Sequence, residues 1–274
     1  MRKAIEFIVY SNIWISAGAA GFGTLYYFLN EKELNKELIA FLFCSTLLTY
    51  TFQRFEKLRK KERISGPRME WMIANSVLVY ILMGLTFVGT IYFALYFSFE
   101  SISLLFCLGP ISFLYAFKLK FRGTPTNLRD IPFIKIVLIG VVWAISCYLI
   151  PFIEDGQSNY DFLIPSIAFF TYIIGITIPF DIRDMEVDEK SKKTIPQIFG
   201  ESFSRFIAAL LIAISACLLI YQFEEQWIEI AVTHTISITV VMGASAKRDE
   251  LFFSFLVDGL LVLFPLTFYL LKSL

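Results

Sequence analysis

Apolar stretches close to the roughly 20 residues needed to cross a bilayer recur along almost the whole chain, which limits it to folds whose backbone polar groups are satisfied within the spanning elements. About nine such stretches can be drawn. They are Ile5 to Leu29, Leu38 to Phe52, Trp71 to Phe97, Ile102 to Phe117, Ile131 to Ile153, Phe162 to Phe180, Phe203 to Phe223, Trp227 to Ala244 and Leu251 to Leu271. A hydrophobic content of 57% and a mean hydropathy of +0.68 exclude an ordinary soluble domain. The expected fold is all-α: a polytopic membrane protein of nine transmembrane helices, forming one domain over residues 1–274. The first stretch stays apolar well past signal-peptide length, so it reads as a retained span.

The charges lie in a few loops, and their placement predicts the orientation. Arg54, Lys57, Arg59, Lys60, Lys61, Arg63 and Arg68 follow the second stretch, and Lys118, Lys120, Arg122 and Arg129 follow the fourth. Lys190, Lys192 and Lys193 follow the sixth, and Lys247 and Arg248 the eighth. Short loops rich in Lys and Arg face the cytoplasm, so the amino terminus is expected inside and the carboxyl terminus on the opposite face, with the cell membrane as the expected location. The two long basic loops stand four spans apart, as in a chain of two four-helix halves plus a final helix. The formal net charge of zero gives no electrostatic case for a nucleic-acid partner. Cys44, Cys107, Cys147 and Cys217 all fall inside apolar runs without a close-spaced pair, which predicts packing residues rather than disulfides or a zinc site.

The segment from Ile178 to Gly200 carries the sharpest local signal. Asp181, Asp184 and Asp188 are spaced three and four residues apart, one face of a helix if the helix continues. Such a stripe repels itself unless protons or a cation offset it. Mg²⁺ is commonly held by one or two carboxylates with waters and substrate phosphates, and the lysines that follow suit a phosphate-bearing ligand. The alternative is a solvated, mixed-charge loop. Arg183 and Glu186 point away from the stripe on an ideal helix.

This segment, Asp181-Ile-Arg-Asp184-Met-Glu-Val-Asp188 with Lys192-Lys193-Thr194-Ile195-Pro196 and Gly200, resembles the second aspartate-rich motif of the UbiA superfamily of intramembrane prenyltransferases. Leu114-Tyr115-Ala-Phe-Lys118-Leu-Lys120 is similar to the family's Tyr/Lys segment at the end of helix four. The resemblance implies a nine-helix bundle, a polyprenyl diphosphate donor, a lipophilic or aromatic acceptor and Mg²⁺ as cofactor. It implies that Asp181, Asp184 and Asp188 hold the metal, with Asp181 and Asp184 catalytic. Gln53, Arg54, Tyr115, Lys118, Lys120, Lys192 and Lys193 would contact the substrate. The family's first aspartate motif would fall near Tyr50 to Lys60, where the chain offers no aspartate, only Gln53, Arg54 and Glu56 as nearby polar groups. Arg54 or Lys57 would there supply by fixed charge what a metal supplies in relatives. The same departure suits a catalytically inactive UbiA-like protein that binds an isoprenoid lipid or acts as a scaffold. Most of the basic residues from Arg54 to Arg68 are expected to face anionic membrane lipids.

Five further polar groups sit within the apolar stretches. Asp258 requires a partner helix or a position near the surface. His234, amid Thr233, Thr235 and Ser237, is expected to bond between helices, as are Asn12 and Asn75. Lys135 can snorkel to the cytoplasmic face or reach a diphosphate.

Overall fold

The structure is a computed structural model that describes residues 2–59, 66–114, 118–121, 124–127, 133–157, 159–185 and 193–272, with side chains at all of these except 57–59, 111–114, 118–121 and 124–127. The elements, in order, are α1 (Arg2–Tyr10), α2 (Ile13–Leu29), α3 (Lys36–Arg59), α4 (Pro67–Ala74), α5 (Ser76–Ala94) and α6 (Phe99–Leu114). A small antiparallel hairpin follows, β1 (Lys118–Phe121) with β2 (Thr124–Asn127), placing Lys118 opposite Asn127. Then come α7 (Ile134–Ala144), α8 (Ile150–Glu154), α9 (Leu163–Asp184), α10 (Ile195–Gln222), α11 (Trp227–Met242) and α12 (Asp258–Lys272). Apart from that hairpin, which lies in an expected loop, the described elements are helical.

By length and composition, six described helical segments can cross a membrane, or seven if the bent α1–α2 pair is one span. Helices α6 and α11, at 16 residues each, are apolar but shorter. Two expected spans are interrupted. Ile5 to Leu29 is bent by 70° between α1 and α2, because Asn12 adopts a left-handed backbone (φ 65°) that asparagine tolerates better than most residues. Trp71 to Phe97 is divided at Asn75, whose side chain caps its own helix by donating to the Trp71 carbonyl at 2.9 Å rather than bonding to a neighbour. A π-helical turn, Ile145–Leu149, joins α7 to α8 just before Pro151. Proline offers no N–H to the carbonyl four residues back, and a wider turn accommodates that loss.

Helix α9 occupies the centre, packed against α7 and α10, while α2 lies on α12 and α3. The core is aromatic: Phe22 stacks on Tyr172 with centroids 5.4 Å apart and meets Phe169, Trp143 and Phe264. His234 joins it edge-on, bonding Ile230 O at 2.7 Å and, from α11 to α10, Ser215 Oγ at 3.2 Å, as expected of an interhelical residue. Close contact of α9 with α10 depends on Gly175. A Cβ there would stand 2.6 Å from Ile212 Cγ1 and 3.0 Å from the Ala208 carbonyl. Gly175→Ala is expected to destabilise the protein by about 1–3 kcal/mol, read as a lower melting temperature in detergent. Gly200 kinks α10 at φ 78° and ψ 170°, a backbone essentially confined to glycine, so the long straight part of the helix begins close to the expected Phe203.

Candidate functional site

Helix α9 ends in Asp181 and Asp184, one turn apart. Asp181 is 4% exposed and accepts from Lys135 Nζ of α7 at 2.5 Å. Asp184 is gripped by its neighbour Arg183, Nε to Oδ1 at 2.8 Å and Nη2 to Oδ2 at 3.0 Å. Arg183 therefore turns back to the stripe instead of away from it. Its long stem lets the guanidinium lie over the rings of Phe180 and Phe253, at 5.3 and 5.7 Å, while the fork reaches the adjacent carboxylate. The like-charge repulsion expected of the stripe is thus offset, at both described positions, by cations of the chain itself.

Asp188 and Lys192 lie outside the described residues, as do Tyr115 and the side chains of Lys118 and Lys120. Lys193 is exposed just before α10 in a left-handed conformation (φ 44°). Among the described residues no group of three His, Cys, Asp or Glu side chains is gathered as a metal site. Two carboxylates on one helical turn still meet the minimum for a single Mg²⁺ completed by waters and phosphate oxygens. The end of α3 fits a metal less well. Gln53 and Arg54 bring no carboxylate, and Glu56, 5% exposed, is the one acid on that end of the helix.

Arg54 has a visible task of another kind. Its Nε donates to Asn12 Oδ1 at 3.0 Å, and Asn12 Nδ2 donates to Thr51 at 3.2 Å, so α3 clasps the break between α1 and α2. Arg68 completes the clasp by donating to the Val9 carbonyl. Asp258 opens α12 and feels the positive charge of Arg68, Arg54 and Arg183.

A cavity of about 390 Å³ opens among α3, α5, α6 and the end of α7. Its volume lies within the roughly 300–1,000 Å³ of small-molecule pockets. Thr46, Thr49 and Tyr50 line it from α3, and Gln53 continues the same helical face about 6 Å beyond Thr49. Val142 and Trp143 line it from α7, and Lys135 lies seven residues before Val142 on the same face, about 10 Å along the axis. None of Gln53, Lys135 and Asp181 lines the cavity itself; the helical rise sets Gln53 and Lys135 beyond its lining residues on α3 and α7, and Asp181 joins them through Lys135. A ligand with an anionic head and a hydrocarbon tail matches this division. Lys135 is the residue that sequence reasoning placed too loosely: its partner lies 46 residues away on another helix.

The fold matches solved structures of a UbiA homologue from Archaeoglobus fulgidus. The structure bound to GPP and Mg²⁺ and the one bound to DMAPP and Mg²⁺ each give a TM-score of 0.60 at 14% identity, covering 98% of both chains. A third structure of a UbiA homologue from that organism gives 0.57 at 14% identity over 98% of this chain and 100% of that one. No family model and no curated protein sequence matches the chain. The chain has the UbiA fold and is an integral, multi-pass membrane protein.

Proposed function

We propose that this chain is an intramembrane prenyltransferase, moving a prenyl group from a polyprenyl diphosphate to a lipophilic or aromatic acceptor. The observation that carries the reading is the Lys135–Asp181 pair toward the head of an apolar cavity, in a fold shared with a homologue solved with GPP and Mg²⁺. Nine spans with the amino terminus cytoplasmic would place this head at the inner membrane face, beside the basic loops.

Asp181 and Asp184, with Asp188, would hold Mg²⁺, which when bound neutralises charge on the diphosphate oxygens. Lys135, Lys118, Lys120, Lys192 and Lys193 would engage the remaining oxygens, Gln53 would donate from α3, and Tyr115 would contact the substrate. The bond from allylic carbon to oxygen breaks with both electrons leaving on the diphosphate. The acceptor then bonds to that carbon and gives up a proton. Tyr50 and Trp143 line the cavity and would offer ring faces to the cationic carbon.

Purified protein incubated with geranyl, farnesyl and geranylgeranyl diphosphate and Mg²⁺ should release diphosphate when a competent acceptor is present, with the prenylated product identified by mass. Chelation with EDTA should abolish that release. It should leave the melting temperature of the ligand-free protein unchanged, because Lys135 and Arg183 already neutralise the two carboxylates. A second reading, an isoprenoid-binding protein without turnover, is favoured by Gln53 and Arg54 standing where relatives carry aspartates. It predicts saturable donor binding and no release with any acceptor.

A further inference from the structure

Thr46 and Thr49 on α3 and Ser146 in the π turn after α7 all face the cavity, yet none of the three hydroxyls has a hydrogen-bond partner among the described residues. Six helical threonines elsewhere in this chain behave otherwise. Thr86, Thr90, Thr177, Thr235, Thr239 and Thr267 each donate to the carbonyl four residues back, at 2.7–2.8 Å. That local bond is the usual resolution for a hydroxyl in an apolar helix, since an unmade hydrogen bond away from water is costly. Three hydroxyls left open around one apolar space therefore call for a partner that occupies it.

We propose that Thr46, Thr49 and Ser146 form a hydrogen-bonding band that recognises an oxygen function, a phenolic or alcoholic hydroxyl or a quinone carbonyl, on the acceptor. This rests on the prenyltransferase reading and makes its acceptor class specific. The level of the band supports it: Thr49 and Thr46 lie about 6 and 10 Å along α3 from Gln53, below the level assigned to the diphosphate. A donor's first carbons would reach that depth. An acceptor oxygen anchored there would present its adjacent ring or chain to the allylic carbon, and each hydroxyl can both donate and accept, so phenol and quinone forms are both served.

The test uses two probes that differ by one oxygen, 4-nonylphenol and nonylbenzene, titrated into the detergent-solubilised full chain. The wild-type protein should bind the phenol about tenfold more tightly, the value of one to two net hydrogen bonds. The triple variant Thr46→Val, Thr49→Val, Ser146→Ala should reduce the preference to within about twofold. It should melt no lower than wild type, because no intramolecular bond is removed. Thr86→Val, whose hydroxyl is satisfied within its own helix, should keep the full preference. Equal affinity of the two probes in the wild type, or a preference that survives the triple substitution, overturns the assignment. Geranyl diphosphate binding, measured alongside, separates the two readings. Loss of donor binding in the wild type removes the prenyltransferase reading, whereas normal donor binding with no phenol preference removes the hydroxyl band alone.

Discussion

Asp181→Asn is expected to lower prenyl transfer by at least about 100-fold, the scale on which a single preorganised electrostatic contact to a developing charge is lost, and to destabilise the fold as well. The second effect follows from burial. Asp181 is 4% exposed and the Lys135 side chain 20%, so neutralising one partner leaves an ammonium group facing an amide in a low-dielectric site. Breaking a fully buried pair costs about 3–5 kcal/mol, and the flexible Lys135 stem, able to carry its charge toward water, reduces that to about 2 kcal/mol here.

Stability and chemistry can be separated because the pair can be removed as a unit. Lys135→Met combined with Asp181→Asn leaves no unpaired charge, and replacing a whole buried pair is often close to neutral. The double variant should therefore regain most of the lost melting temperature while turnover stays at the level of the single variant. Recovery of both would mean that Asp181 acts only through folding, and the assigned role in holding the metal and diphosphate would fall.

What the sequence discloses depends on how local each feature is. Apolar runs are averages over some 20 residues, so the spans are legible even where boundaries shift. Bends are set by single residues inside those runs. Asn12 and Asn75 barely alter a sliding average, yet one turns the chain by 70° and the other ends a helix. The acid stripe was legible as helical spacing, but its neutralisation was not. Lys135 comes from another helix, and Arg183 folds back by torsions that an ideal helical wheel ignores. The silent hydroxyls of Thr46 and Thr49 were invisible for a related reason, since their sequence context matches that of threonines that bond their own helix.

Arg68→Met is expected to destabilise the protein by about 3 kcal/mol, with the loss concentrated at α1, and Arg54→Met by less. The break at Asn12 denies the last carbonyls of α1 their regular helical partners, so that Val9 O takes the Asn12 N–H at 3.2 Å instead. Arg68, 6% exposed, donates to one of them, Val9 O, while its other nitrogen lies 3.7 Å from Glu250 and its guanidinium sits 5.8 Å from the centroid of the Tyr10 ring. Removing it takes a charged donor from Val9 O, which keeps only the Asn12 N–H at 3.2 Å, and leaves the Glu250 carboxylate without its cation. Arg54 contributes a single bond to Asn12, which Thr51 continues to hold. Amide exchange should accelerate across residues 2–10 in Arg68→Met, and the edge contact of Phe7 with Trp71, at 5.8 Å, should loosen with it. Arg54→Met also decides between two tasks for that residue. If it clasps the broken helix, the melting temperature falls and the apparent affinity for geranyl diphosphate is retained. If it is a direct phosphate ligand, affinity falls at least about tenfold while the fold is untouched, as for a lost charged hydrogen bond.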